Sequence, residues 1–79
     1  MRDVTIHESG QGADMLRVNS LGNGRAYAIE FGEAGAPMRN LFFQGDDATD
    51  LRARFDIIKS RRADKPTRDI WLSLLDEHL

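Results

Sequence analysis

The sequence LRVNSLGNGRAYAIEF, residues 16–31, decides the fold. Two runs of alternating apolar and polar residues flank the dipeptide Asn23-Gly24, and alternation with a period of two is typical of strands that bury one face. Asparagine and glycine both tolerate the positive φ values that a two-residue hairpin turn requires. The stretch therefore predicts a β-hairpin with a two-residue turn at Asn23-Gly24.

A turn at this dipeptide also determines which side chains meet across the hairpin. Val18 falls opposite Ile29, and the other large apolar residues of the two strands lie on the same face. On the opposite face Arg17 falls beside Glu30, which is a favourable cross-strand charge pair. A three-residue turn would set Val18 opposite Ala28 and scatter the apolar face. The sequence therefore predicts one register for this hairpin.

Two further alternating segments flank the hairpin, at residues 3–8 and 38–44. In the first, Val4 and Ile6 are expected on one face. In the second, Phe42 is expected to point away from the apolar face that its neighbours join. Four short strands in succession are typical of an antiparallel meander.

The hydrophobic period changes after the fourth strand. The apolar residues that follow have the spacing of one helical stripe: Ala48, Leu51, Phe55 and Ile58. Pro66 disfavours helix at the residue before it, and a second helix is expected from about Thr67. Its inward residues are expected to be Ile70, Trp71, Leu74 and Leu75. We therefore predict an α+β fold of two layers, a four-stranded antiparallel meander (ββββαα) with two C-terminal helices packed on one face.

The length and composition limit the class of protein. The 79 residues indicate a single small α+β domain over residues 1–79. Small domains are commonly stabilised by disulfides, a metal or a second subunit. The sequence has no cysteine and a net charge of −2, which excludes a disulfide framework and leaves room for a homodimer. Because no signal-peptide-like or membrane-length apolar run is visible, we expect a cytoplasmic protein without membrane contact.

The sequence GDDATD follows the fourth strand. Gly45 suits the bend at the strand end, and Asp46 or Asp47 is expected to cap the helix. Asp50 is placed to pair with Arg54 one turn later. Helix initiation therefore explains the segment. The alternative, a carboxylate site for a metal or for acid–base chemistry, lacks the further oxygen ligands that such a site needs.

The strand that ends in FFQGDDA and leads into a helix resembles a stretch in small accessory proteins of phages and prophages. This group includes anti-CRISPR proteins, which block a CRISPR effector complex by binding it. The resemblance covers residues 25–58, in the order hairpin, strand and helix. It implies a fold and a phage setting, hence the cytoplasm of a host cell, and it assigns no functional residue.

Positive charge is concentrated in residues 52–68, which carry seven basic side chains against two acidic ones. One interpretation is a solvated helix border. The other is a basic corner that contacts an acidic protein surface or phosphate, with partner-binding residues Arg54, Arg61, Arg62 and Lys65. The acidic residues Asp46, Asp47 and Asp50 form a second candidate contact, and outward Phe42 a third. Further apolar residues off the inward stripes are Met15, Ile57 and Leu72.

Catalytic constellations are weak in this sequence. The segment His7-Glu8-Ser9 has the atoms of nucleophilic catalysis, but adjacent strand residues point to opposite faces and no third group is evident. His7 and His78 lie at opposite ends without partners at metal-ligand spacing. We therefore expect no catalytic residue, no metal and no cofactor, and a protein that is not an enzyme.

The expected function is therefore non-catalytic binding of a macromolecule, either a protein or a ribonucleoprotein complex. Its most concrete form is a phage accessory inhibitor of the anti-CRISPR kind that blocks a host CRISPR effector complex by surface binding. The alternative is a small nucleic-acid-binding regulator that uses the basic segment 52–68. A sequence pI of about 5.6 and the lack of interleaved aromatic residues make direct nucleic-acid binding the second choice.

Overall fold

The computed structural model describes residues 3–78 and shows one four-stranded antiparallel sheet followed by two helices. The strands lie side by side in chain order, which confirms the predicted α+β meander. A short 3₁₀ turn, Gly12–Asp14, links the first two strands. The elements are β1 (Val4–Ser9), β2 (Leu16–Leu21), β3 (Ala26–Glu33), β4 (Ala36–Gln44), α1 (Asp46–Arg61) and α2 (Thr67–His78).

The β2–β3 hairpin has the predicted register. Val18 lies opposite Ile29 and Arg17 opposite Glu30. The Arg25 amide donates to the carbonyl oxygen of Gly22 at 3.4 Å, as the predicted two-residue turn requires, and also to that of Leu21 at 3.1 Å, and residues 22–25 lie outside the strands. Three consecutive residues, Gly22, Asn23 and Gly24, have positive φ. The extra left-handed residue widens the loop without shifting the strands.

The core lies between the sheet and the two helices. Leu16, Val18 and Ile29 have no solvent exposure, and Ile70 of α2 is equally covered. Trp71 is 1% exposed, and its ring stacks on Phe55 of α1 with the ring centroids 4.6 Å apart. Both helices therefore pack on one face of the sheet, as predicted. The remaining buried residues are Tyr27, Phe43, Ala48, Leu51, Leu74 and Leu75.

Strand β1 departs from the predicted alternation. Thr5 pairs with Asn19 and His7 with Val18, so Ile6 forms a bulge. A bulge shifts the alternation by one residue, and it therefore turns His7 toward the core-facing side. The prediction that Val4 and Ile6 share an apolar face is wrong, and both side chains are exposed.

Helix α1 begins at Asp46, one or two residues earlier than expected. Gly45 occupies the N-cap position with φ 59° and ψ −132°, and no side chain caps the helix. This conformation is accessible to glycine and strained for other residues. The prediction that Asp46 or Asp47 caps the helix is therefore wrong, since both lie in its first turn. There their negative charge favours the positive end of the helix dipole.

The two helices run antiparallel. Arg54 of α1 contacts Glu77 near the end of α2, whereas Lys59 contacts Thr67 at its start. At 1.5 Å per residue, the 16 residues of α1 span about 24 Å. The helical layer therefore has two well-separated ends, one formed by the start of α1 and the end of α2, the other by the loop between the helices.

Candidate binding surfaces

The loop end of the helical layer carries a basic pole, which we define as Lys59, Arg61, Arg62 and Lys65. Lys59 donates to the Thr67 hydroxyl at 3.5 Å and Lys65 to the Ser73 hydroxyl at 3.2 Å. Arg61 and Arg62 are exposed, and within residues 3–78 neither guanidinium has an acidic partner within 4 Å. The structure thus brings three of the four predicted basic contacts together.

Arg54, the fourth predicted basic contact, lies elsewhere. Its guanidinium pairs with Asp50 at 3.2 Å and with Glu77 at 2.7 Å. Arg54 precedes Arg61 by seven residues, or about 10 Å along the helix axis. Its charge is already neutralised within the chain, so it does not extend the basic pole.

The other end of the layer carries an acidic pole, which we define as Asp46, Asp47, Asp50, Asp76 and Glu77. The first three were predicted as a candidate contact, and α2 adds the last two. Sequence reasoning missed this addition because residues 76–77 are distant along the chain. The signal that would have found it is the antiparallel packing of two helices joined by a short loop. A negative charge in the last turn of α2 opposes the helix dipole, so helix stability does not explain Asp76 and Glu77.

A shallow groove of about 180 Å³ lies within the acidic pole. Leu51 of α1 and Leu74 of α2 line it together with Phe43 of the sheet. The His78 ring meets the Phe43 ring edge-on, with the centroids 4.8 Å apart. Arg54 also lines the groove, and its guanidinium already pairs with Asp50 and Glu77 there.

The sheet face without helices carries charge and one large aromatic ring. Arg17 bridges two strands, with Glu8 at 2.6 Å and Glu30 at 3.1 Å. The hydrogen bond to Glu8, followed by the charge of that carboxylate, raises the pKa of Arg17 above its ordinary value. Phe42 stands beside Ala28 on this face and is 57% exposed. The prediction that Phe42 points away from the core is confirmed.

The other apolar residues that were predicted to be exposed differ in their observed exposure. Ile57 is 52% exposed on α1. Leu72 packs against the core at its margin and is partly buried. Met15 is intermediate in exposure. Leu72 therefore does not contribute a free apolar surface, and Phe42 and Ile57 lie on different layers of the domain.

A polar cluster joins β1 to the start of α2. His7 Nε2 lies 2.9 Å from Ser9 Oγ, and Arg68 donates to the same oxygen at 2.7 Å. Burial, followed by the charge of Arg68, lowers the pKa of His7. His7 and Ser9 are two residues apart and share a face of the strand, so they can meet although adjacent residues cannot.

This cluster has a structural role in the described chain. Arg68 also donates to the backbone carbonyl oxygen of Asp14 in the 3₁₀ turn. One guanidinium therefore ties α2 to β1 and to the loop that follows it. Two of its hydrogen bonds are thereby committed, and the Ser9 hydroxyl is held between Arg68 and His7.

Residues 3–78 contain no group of three or more histidine, aspartate or glutamate side chains arranged to hold a metal ion. In the same part of the chain, neither helix combines the length and the apolar character needed to cross a membrane. Comparison of the chain with protein-family models, with curated proteins and with solved structures gives no match.

Proposed function

We propose that this protein is a non-catalytic binding protein that acts by covering the surface of a macromolecular partner through its basic pole. The observation that supports this most directly is the state of Arg61 and Arg62. Both are exposed, and neither is neutralised by an acid within residues 3–78. Exposed cations without an internal partner keep their full charge for an acidic surface of another molecule.

The position of these cations also supports the proposal. The dipole of α1 explains a cation at Arg61, the last helical residue. Arg62 is the C-cap residue, where the dipole still favours a cation, whereas Lys65 lies in the loop three residues further on. The pole therefore carries more positive charge than the helix end requires.

The narrower form of the proposal is a phage accessory inhibitor of the anti-CRISPR kind that binds a CRISPR effector complex in the cytoplasm of the host. Its support is the resemblance of residues 25–58 to phage accessory proteins, together with the small size of the domain. An inhibitor that acts by occlusion needs a rigid charged surface and no catalytic group. The basic pole supplies exposed positive charge for such a contact.

The test uses purified CRISPR effector complexes of several types, with binding followed by interferometry and inhibition by target-DNA cleavage. The wild-type protein is expected to bind one complex and to block cleavage. Arg61→Glu with Arg62→Glu is expected to weaken binding at least about tenfold, since each reversal replaces attraction with repulsion. The matched control is Arg25→Glu with Arg52→Glu, which makes the same change in net charge away from the pole.

Two results would count against the proposal. One is the absence of a complex with every effector tested, which rejects its anti-CRISPR form. The other is equal loss of binding in both double variants, which would mean that net charge rather than the basic pole governs association. Circular dichroism and thermal melts establish that each variant is folded before binding is compared.

The nucleic-acid alternative relies on the same pole, because Arg61 and Arg62 are equally suited to phosphate. It requires a complex with DNA or RNA whose affinity falls steeply as salt increases. A mobility-shift assay at low salt, with single- and double-stranded probes, distinguishes the nucleic-acid-binding regulator from the inhibitor. A shift that Arg61→Glu with Arg62→Glu abolishes would favour the regulator over the inhibitor.

A further inference from the structure

The two edges of the sheet differ in how well they can accept another strand. The β1 edge is interrupted by the bulge at Ile6. The β4 edge has its own irregularity between the pairs Phe31–Arg39 and Glu33–Ala36, next to Pro37. Bulges and prolines are devices that block edge pairing. Each edge is thus protected over part of its length.

The rest of β4 is regular. From Arg39 to Gln44 the strand pairs with β3 without a shift in register. Because β4 is last in the sheet order, no described strand of the chain lies on its outer side. A row of outward backbone donors and acceptors on a regular strand is a template for another strand.

The side chains of this segment suit a second copy of the same strand. Phe42, on the open face, is the most exposed of the large apolar residues in the described chain, at 57%. Arg39 lies on the opposite face, over the Phe31 ring, and its only described ion pair is a long contact of 3.7 Å with Glu33. Asp46 and Asp47 follow immediately after the segment, at the start of α1 on that same face.

We propose that the protein forms a two-fold symmetric dimer in which residues 40–44 of two copies pair antiparallel, with the axis at Phe42. This register places the two Phe42 rings beside each other on the open face. It sets Arg39 opposite the Gly45 position of the second copy, next to the acidic first turn of α1. The symmetry repeats this charge contact on both sides of the axis.

A second copy is favoured over another partner because the segment is self-complementary. Arg39 lies at one end of the segment, and Asp46 and Asp47 lie just past the other end. Antiparallel pairing places the positive end of one copy beside the negative end of the second. A parallel pairing or an unrelated strand would not have this match. Dimerisation also supplies the added stability that a small domain without disulfides needs. The dimer contact is separate from the basic pole, so it stands or falls independently of the proposed function.

Sedimentation velocity over a range of concentrations tests the dimer. The wild-type protein is expected to show a concentration-dependent monomer–dimer equilibrium. Phe42→Lys is expected to be monomeric, because it sets two positive charges against each other at the axis. Ile57→Lys adds the same charge at a similarly exposed position on α1 and is expected to dimerise like the wild type.

A charge-swap experiment tests the register. Arg39→Glu is expected to be monomeric, and so is Asp46→Lys with Asp47→Lys, because each sets like charges together at both contacts. A mixture of the two variants is expected to form heterodimers, since both contacts then join opposite charges. Each variant therefore serves as the folding control of the other.

A wild-type protein that stays monomeric at every concentration would overturn the proposal. So would a dimer that Phe42→Lys leaves intact, or a charge-swapped mixture that stays monomeric. Hydrogen exchange gives an independent measurement, with protection of amides in residues 39–44 expected to rise as dimer forms. Protection that appears only when a different protein is added would assign the edge to that partner and reject the second copy.

Discussion

The two faces of the sheet are built from the same strands and have opposite properties. On the helix-covered face Leu16 and Val18 of β2 have no exposure. Between and beside them, Arg17 and Asn19 face the open side, where they contact charged and polar residues of neighbouring strands. Alternation along one strand therefore separates the residues that hold the fold from those that remain available for contacts.

The difference between the faces indicates where a substitution changes the free energy of unfolding most. Loss of an atom on the covered face leaves a cavity between two layers that cannot close fully. Loss on the open face leaves a position that water fills. The open face is not featureless, because Arg17 links the strands through Glu8 and Glu30. Its contacts are solvated, however, so they contribute less to stability than the core does.

The largest expected effect is at Trp71. Trp71→Ala removes a ring that is 1% exposed and stacked on Phe55, and we expect the free energy of unfolding to fall by about 3–5 kcal/mol. The matched variant is Phe42→Ser on the open face, with an expected change within about 0.5 kcal/mol when both proteins are measured as monomers, at concentrations too low for the proposed dimer. Guanidinium unfolding followed by circular dichroism measures both. Similar losses in the two variants would contradict the division between the faces.

A smaller effect is expected at His7, which the bulge turns toward the covered face. Burial and the charge of Arg68 lower the pKa of His7, so the folded state disfavours the protonated ring. The unfolded chain takes up the proton near pH 6.5. Stability is therefore expected to decline as pH falls below about 6.5, and this decline ends once the folded ring is itself protonated.

The measurement compares the free energy of unfolding of wild type and His7→Gln between pH 7.5 and 5. Glutamine keeps a polar side chain toward Ser9 and does not titrate in this range. The variant is expected to lose less stability than wild type over the interval, and the difference profile isolates His7 from His78. Parallel profiles would mean that the His7 ring has no net coupling to folding.

The smallest expected effect is at Arg17. Arg17→Ala leaves Glu8 and Glu30 on neighbouring strands without the cation between them. We expect a small decrease in melting temperature at low salt that shrinks as ionic strength rises, because salt screens the remaining repulsion between exposed charges. A decrease that does not depend on salt would show that the aliphatic stem of Arg17, rather than its charge, supports the open face.

Sequence pattern predicted most of the fold because its strongest signals are local. The alternation on both sides of Asn23-Gly24 allows one register, and that register is the one observed. The apolar stripe from Ala48 to Ile58 likewise predicted which face of α1 packs against the core. The bulge at Ile6 was not predicted, because the residues before and after it are all acceptable in a regular strand. Only packing against the rest of the domain determines where the alternation shifts.

The candidate surfaces were predicted less completely, and the reason is distance along the chain. Arg54 and Arg61 are neighbours in a basic run, but Glu77 neutralises Arg54 from the other helix. The acidic pole gains Asp76 in the same way, through antiparallel packing. Charge density in a sequence window therefore describes a surface correctly only when no partner element supplies the counter-charge.

The basic pole has one practical property that follows from its composition. The chain contains only two lysines, Lys59 and Lys65, and both flank the junction between the helices. Acylation of the lysine side chains therefore reports on this end of the molecule. Protection of these two amines by a bound partner, followed by mass spectrometry, would map the contact without changing a single residue.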